Sequence, residues 1–132
     1  MVMKTILKKE VCDITVEQLC VYAPSTAPNL KWAKCLEVYS PFTAPNLKCA
    51  KYLEVYALFT AEKLEGVDWL EIYAPLNAPE LEKVGCFYIF APFTAPKLEK
   101  AGCLYVYATF TAPKLAKVEY DLHMNTQFYL LA

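Results

Sequence analysis

With 132 residues, 57% of them apolar, and a formal net charge of −1, the chain has room for one domain with a well-supplied interior and no attractive field for a polyanion. Arginine, the residue for bidentate phosphate and guanine contacts, is absent, so nucleic-acid binding is disfavoured. No uncharged run approaches the ~20 residues of a membrane span, and one histidine with six cysteines and no CxxC spacing makes poor material for a metal site.

Residues 1–18 carry Val2, Ile6, Leu7, Val11, Ile14 and Val16 between charged residues, a composition suited to capping an open end. The apolar stretch in this segment is short and broken by lysines, with no small-residue cleavage site. It does not read as a signal peptide, and a cytoplasmic location is expected.

From Leu19 onward the sequence repeats every 17 residues, six times, through residue 120. Leu19, Leu36, Leu53, Leu70, Phe87 and Leu104 each open a copy, seen most plainly in LEVYSPFTAPNLKCAKY (36–52) and LYVYATFTAPKLAKVEY (104–120). A fixed period means that each copy is one structural unit whose apolar face is buried by the next. The expected architecture is therefore a single repeat domain over 1–132, with 1–18 and 121–132 as caps on the stack.

Positions 1 to 5 of the repeat alternate apolar and surface residues with β-branched or aromatic enrichment, as in Leu36-Glu37-Val38-Tyr39-Ser40. That alternation predicts strands near 19–23, 36–40, 53–57, 70–74, 87–91 and 104–108. Because every strand returns to the same phase, neighbours run parallel and in register in one sheet. Prolines at positions 6 and 10, such as Pro41 and Pro45, lack an N–H and predict a bend rather than a helix. Positions 11 to 16 place apolar residues at 12 and 15, which fits one 3₁₀ turn or a short bent strand. The fold class is mainly β, with no long helix in the repeats. The inward set is Val21, Leu30, Leu36, Val38, Leu47, Leu53, Val55, Leu64, Leu70, Ile72, Leu81, Ile89, Leu98, Leu104, Val106 and Leu115.

The strand Leu53-Glu54-Val55-Tyr56-Ala57 and the following pattern Ala95-Pro96-Lys97-Leu98-Glu99-Lys100-Ala101, over 19–120, resemble a short bacterial or phage form of the leucine-rich-repeat family. The resemblance implies protein binding through the sheet. Repeats of that family run to 20–29 residues and often carry an Asn or Cys after the strand, whereas here position 8 is a Thr column. A narrow all-β solenoid is the alternative.

Cys35, Cys86 and Cys103 share position 17 with Tyr52, Trp69 and Tyr120, which reads as a packing slot for any bulky, partly apolar side chain. Cys86 and Cys103 lie one coil apart, within reach of a disulfide, although thiols are expected in a reducing compartment.

In a register-matched stack each repeat position becomes a column of side chains about 4.8 Å apart. Position 4 gives Tyr22, Tyr39, Tyr56, Tyr73, Phe90 and Tyr107, an outward aromatic stripe roughly 25 Å long. Such a stripe can simply cover the sheet and fix its register, or it can be a recognition surface. Position 2 gives Cys20, Glu37, Glu54, Glu71, Tyr88 and Tyr105. Stacked carboxylates repel by about 0.9 kcal/mol per neighbouring pair even at the dielectric constant of water. That cost hints at a patch kept for a basic partner, while duplication of one ancestral unit would leave the same column with no role. The opposite arc mixes Lys31, Lys34, Lys48, Lys51, Lys83, Lys100 and Lys117 with Glu65, Glu82, Glu99 and Asp68, a solvated face.

Catalysis is poorly supported. His123 stands beside Asp121 in the last segment, Ser25 and Ser40 occupy ordinary repeat positions, and a pair such as Glu54 and Glu71 sits on a solvated surface. No cofactor is expected. The expected function is non-enzymatic protein binding through Tyr22, Tyr39, Tyr56, Tyr73, Phe90, Tyr107, Glu37, Glu54, Glu71, Tyr88 and Tyr105. Alternatives are a phage or mobile-element inhibitor of a host defence complex, and an ice- or surface-binding solenoid using Thr26, Thr43, Thr60, Thr94 and Thr111. Residues 121–132 end in an uncharged QFYLLA tail, which makes the C-terminal end the expected edge for self-association.

Overall fold

The structure is a computed structural model that describes residues 3–6, 12, 14–124 and 128–129. In chain order the strands are β1 (Met3–Ile6), β2 (Thr15–Val21), β3 (Ser25–Thr26), β4 (Trp32–Val38), β5 (Phe42–Thr43), β6 (Cys49–Val55), β7 (Phe59–Thr60), β8 (Gly66–Ile72), β9 (Leu76–Asn77), β10 (Lys83–Ile89), β11 (Phe93–Thr94), β12 (Lys100–Val106), β13 (Phe110–Thr111), β14 (Lys117–Met124) and β15 (Phe128–Tyr129). The long strands form one eight-stranded sheet in the order β1-β2-β4-β6-β8-β10-β12-β14, parallel throughout. The two-residue strands form a second wall, split into β3-β5-β7-β9 and β11-β13-β15. The chain is thus a β-solenoid of stacked coils without helix among the described residues, and no helix is long and apolar enough to cross a membrane.

The long strands begin and end about two to four residues earlier than the alternation at positions 1 to 5 implies. Each takes in positions 14 to 17 of one repeat and 1 to 3 of the next. The reason is a bend that interrupts the period of two. Ala50 and Leu53 both point inward although they are three residues apart, while Lys51 and Tyr52 between them face out. The ladder passes from Ala50↔Val67 directly to Tyr52↔Trp69, and the same position is passed over in the other repeat ladders. One strand therefore wraps a corner of the solenoid.

Each return arc is closed by a tight turn. The amide at position 12 donates to the carbonyl at position 9, as in Leu47 to Ala44 at 3.2 Å and Leu64 to Ala61 at 3.2 Å. Proline stands second in this turn in most coils, where its fixed φ is preformed, and the absence of positive-φ residues among those described makes it type I.

Six columns fill the interior. Positions 1, 3, 12 and 15 supply the leucines, valines and alanines expected, and every inward residue named from the sequence is buried. Position 9 is alanine in all six repeats, at most 2% exposed, because the type I turn brings backbone against backbone there. Position 7 adds Phe42, Phe59, Leu76, Phe93 and Phe110. Two departures from the repeat fall close together in the sequence: Leu76 stands where most copies have phenylalanine, and Phe87, which opens the next copy, stands where the others have leucine. The Phe87 ring meets Phe93 and Phe110 edge-on at 5.6 and 5.8 Å. The short-strand wall divides at this place, between β9 and β11.

The last coil does not keep the 17-residue step. Val118 pairs with Ala101, but Asp121 pairs with Cys103 and Leu122 with Leu104, so one extra residue is bulged out. The apolar register forces this, since the next leucine in phase with Leu104 lies 18 residues on, at Leu122. Tyr120, read from the sequence as the partner of Cys103, is instead expelled to solvent at 81% exposure. At the other end Ile14, expected to help cap the first coil, is 58% exposed, while Val16 is buried. Val2, Leu7, Val11, Leu130 and Leu131 lie outside the described residues, and nothing is described of the side chains of Ile6, Phe128 and Tyr129.

Candidate interaction face

Beyond the corner, the second half of each long strand turns positions 17 and 2 outward, and position 4 follows on the same side just past the strand end. Position 17 was read as a packing slot, and the structure corrects this: Tyr52 is 41% exposed, and Trp69, Cys35, Cys86 and Cys103 are half-buried on the surface. The bend at position 16 is the cause, because two successive residues face out there. Tyr52 and Trp69 thereby join the face, and the signal in the sequence was the three-residue gap between inward positions 15 and 1.

The position 4 side chains stack as a continuous ladder. Ring centroids are 5.0 Å apart from Tyr22 to Tyr39 and from Tyr39 to Tyr56, 4.9 Å from Tyr56 to Tyr73, 4.7 Å from Tyr73 to Phe90 and 4.9 Å from Phe90 to Tyr107. Interplanar angles do not exceed 4°. The faces of the internal rings are covered by their neighbours, and what the surface offers is a row of ring edges, the positive rim of the aromatic quadrupole.

The position 2 carboxylates lie beside this row and hold its hydroxyls. Tyr39, Tyr56 and Tyr73 donate to Glu37, Glu54 and Glu71, each at 2.6 Å. The second oxygen of Glu71 accepts the Trp69 indole N–H at 2.7 Å, and that of Glu37 faces the Cys20 thiol at 3.4 Å. Holding a phenol proton against a carboxylate stabilises the neutral phenol. The bond to Glu37, and the bond to Glu54, accordingly push the ionisation of Tyr39 and Tyr56 well above the ordinary phenol value. Burial, then the bond to Glu71, pushes Tyr73 up to about 12.

Past Glu71 the position 2 column changes from acid to aromatic. Tyr88 and Tyr105 stack at 4.7 Å and 3°, and Trp69 leans on Tyr88 at 5.0 Å. The bulged last strand supplies the end of the face. Tyr105 donates to Asp121 at 2.7 Å, which pushes its ionisation up to about 12, and His123 lies 6.2 Å from Tyr105 and 5.7 Å from Tyr107. Asp121 and His123 were noted in the sequence only as neighbours in the tail, since the extra residue that brings them here breaks the repeat.

All eleven residues singled out from the sequence therefore stand on one face, with an acidic half formed by Glu37, Glu54 and Glu71 and an aromatic half formed by Tyr88 and Tyr105. Between the halves of the strand a shallow depression of about 300 Å³ is lined by Cys35, Tyr52, Trp69 and the three glutamates. A second depression of about 360 Å³ lies across the corner, lined by Trp32, Cys49, Lys51, Asp68 and Lys83, where Gly66 and Gly85 carry no side chain. No cluster of three or more potential metal ligands occurs among the described residues. The chain matches no protein-family model, no curated protein and no solved structure.

Proposed function

We propose that the chain is a non-enzymatic binding module that engages another protein, one with a basic surface, through the Tyr/Glu face. The observation that carries this reading is the hydroxyl–carboxylate lock repeated at Tyr39–Glu37, Tyr56–Glu54 and Tyr73–Glu71. It holds exposed aromatic side chains in one arrangement before any partner arrives, so little side-chain entropy remains to be lost on binding. Columns 17, 2 and 4 of the repeats contain no lysine, so the three carboxylates give this face one sign of charge. The likeness of the repeat to short leucine-rich repeats of bacterial or phage type supports the same reading at the level of fold analogy. A cytoplasmic setting, in which the thiols stay reduced, belongs to the same reading.

Inhibition of a host defence complex is one form such binding could take, and no residue on the face favours it over another partner. The Thr column is a weaker basis for a surface-binding role, because the short-strand wall that carries it is divided between Asn77 and Thr94. Self-association through the solenoid end has one observation in its favour: Leu122, in phase with the core leucines, is 46% exposed at the last long strand.

Affinity capture from native lysate, followed by titration of the captured protein, tests the proposal. Tyr56→Ala is expected to weaken binding by about 2 kcal/mol, and Glu54→Lys to slow association in a salt-dependent way. A partner indifferent to both but sensitive to Lys48→Glu with Lys83→Glu would move the site to the lysine-rich arc. Light scattering on the pure protein separates partner binding from self-association.

A further inference from the structure

We propose that Cys86 and Cys103 are a redox-sensitive pair that closes into a reversible disulfide, stapling β10 to β12 on the outward face. The two residues are direct register partners on adjacent parallel strands. Cα atoms so placed are about 4.8 Å apart, inside the range a disulfide spans. Two residues further along the same strands Tyr88 and Tyr105 stack at 4.7 Å, which holds the coils at that spacing. Both thiols are half-buried on the surface, where a small oxidant can reach them.

Among the cysteines of the long strands the pairing is particular to these two. In register, Cys20 faces Thr5 and Glu37, Cys35 faces Gln18 and Tyr52, and Cys49 faces Trp32 and Gly66. Side chains of in-register parallel strands run alongside each other rather than toward each other, so closing the bond turns the two sulfurs out of that parallel arrangement while the strands keep their spacing. A bond closed under such a constraint is the readily reduced kind.

The oxidant is a peroxide. One thiolate attacks the O–O bond and becomes a sulfenic acid as hydroxide leaves. The second sulfur then displaces the sulfenic oxygen as water, so two thiols lose two hydrogens and the peroxide becomes two waters. Burial and the hydrogen bond between the thiols push the ionisation of Cys86 up, so the reaction should accelerate as pH rises through the thiol range.

Hydrogen peroxide at one equivalent, applied to the full chain and to a variant with Cys12, Cys20, Cys35 and Cys49 changed to serine, tests the proposal. Cleavage after Lys83, Lys97, Lys100 and Lys114 separates the two cysteines into peptides 84–97 and 101–114. A non-reducing digest should yield these two joined, with intact mass lower by two hydrogens and full recovery with dithiothreitol. In Trp32→Phe the emission of Trp69, the register partner of Cys86 on β8, should fall as the disulfide forms and return on reduction. Unjoined peptides carrying sulfinic acid, a link to another cysteine or a link between molecules would overturn the proposal. The same peptide map on the wild-type chain tests the pairing even where the serine variant fails to fold.

Discussion

Tyr73 donates its hydroxyl to one oxygen of Glu71 at 2.6 Å while Trp69 donates its indole N–H to the other at 2.7 Å, so a single carboxylate ties position 4 to position 17 across the outward face. The same carboxylate stands one coil from Glu54 in the register. Donors on both oxygens spread its charge, which offsets part of the repulsion that a stacked acidic column carries.

The first prediction separates the ladder's structural part from its binding part. Tyr56→Ala removes two stacking contacts and one hydrogen bond, and should cost about 1–3 kcal/mol in denaturant melts. Tyr56→Phe keeps both stacks on a side chain 39% exposed, and should cost less than about 1 kcal/mol. If the two substitutions proved equally mild, the ladder would have no structural weight.

The second concerns alkaline pH. The folded state holds Tyr73 and Tyr105 up to about 12 and raises Tyr39 and Tyr56 as well, from an ordinary value of 10.0. The bound proton is favoured in the folded state, so the contribution is complete below about pH 10. It is lost as pH rises through the folded values near 12, because the unfolded chain ionises first. Unfolding midpoints should fall over this window, and the tyrosinate absorbance contributed by Tyr39, Tyr56, Tyr73 and Tyr105 should appear in step with unfolding. Early ionisation of the whole tyrosine set in folded protein would contradict the lock.

Gly85 and Gly66 make the third test. A Cβ on Gly85 would collide with the Asp68 carbonyl oxygen, a backbone atom, whereas one on Gly66 would meet nothing closer than the Lys83 carbonyl at 3.9 Å. Gly85→Ala should therefore destabilise by about 1–3 kcal/mol. Gly66→Ala should be neutral or stabilise by up to about 1 kcal/mol, as the unfolded chain loses freedom. Equal effects would mean that the coils at the corner do not approach so closely.

The fourth is the core. Leu64 is fully buried in the column that contains Leu47 and Leu81. Leu64→Ala should cost about 2–5 kcal/mol and, because each coil is stabilised by its neighbours, should lower amide protection not only in β8, which follows it, but also in β6 and β10, which follow Leu47 and Leu81. Loss confined to one coil would argue against nearest-neighbour coupling.

The outward columns were legible in the repeat alone. Tyr22 through Tyr107 and Glu37 through Glu71 recur at one step, and a parallel stack turns equal phase into spatial adjacency. The place of Trp69 and Tyr52 was not legible, because alternation assigns successive residues to opposite sides, and only the backbone bend at position 16 turns two in a row outward. The end of the face, where Asp121 and His123 meet Tyr105 and Tyr107, depends on a bulge that exists because Leu122 must stay in phase with the core leucines.

The sequence by itself determined the number of repeat coils, the parallel direction and register of the repeat strands, and the leucine and valine columns of the interior, because a strict 17-residue period leaves one way to bury the same apolar positions again and again. Tertiary structure alone decided where the strand turns its corner, which hydroxyl meets which carboxylate, and how the last coil absorbs its extra residue. Those depend on backbone geometry and on contacts between coils, and both arise only when one copy is set against the next.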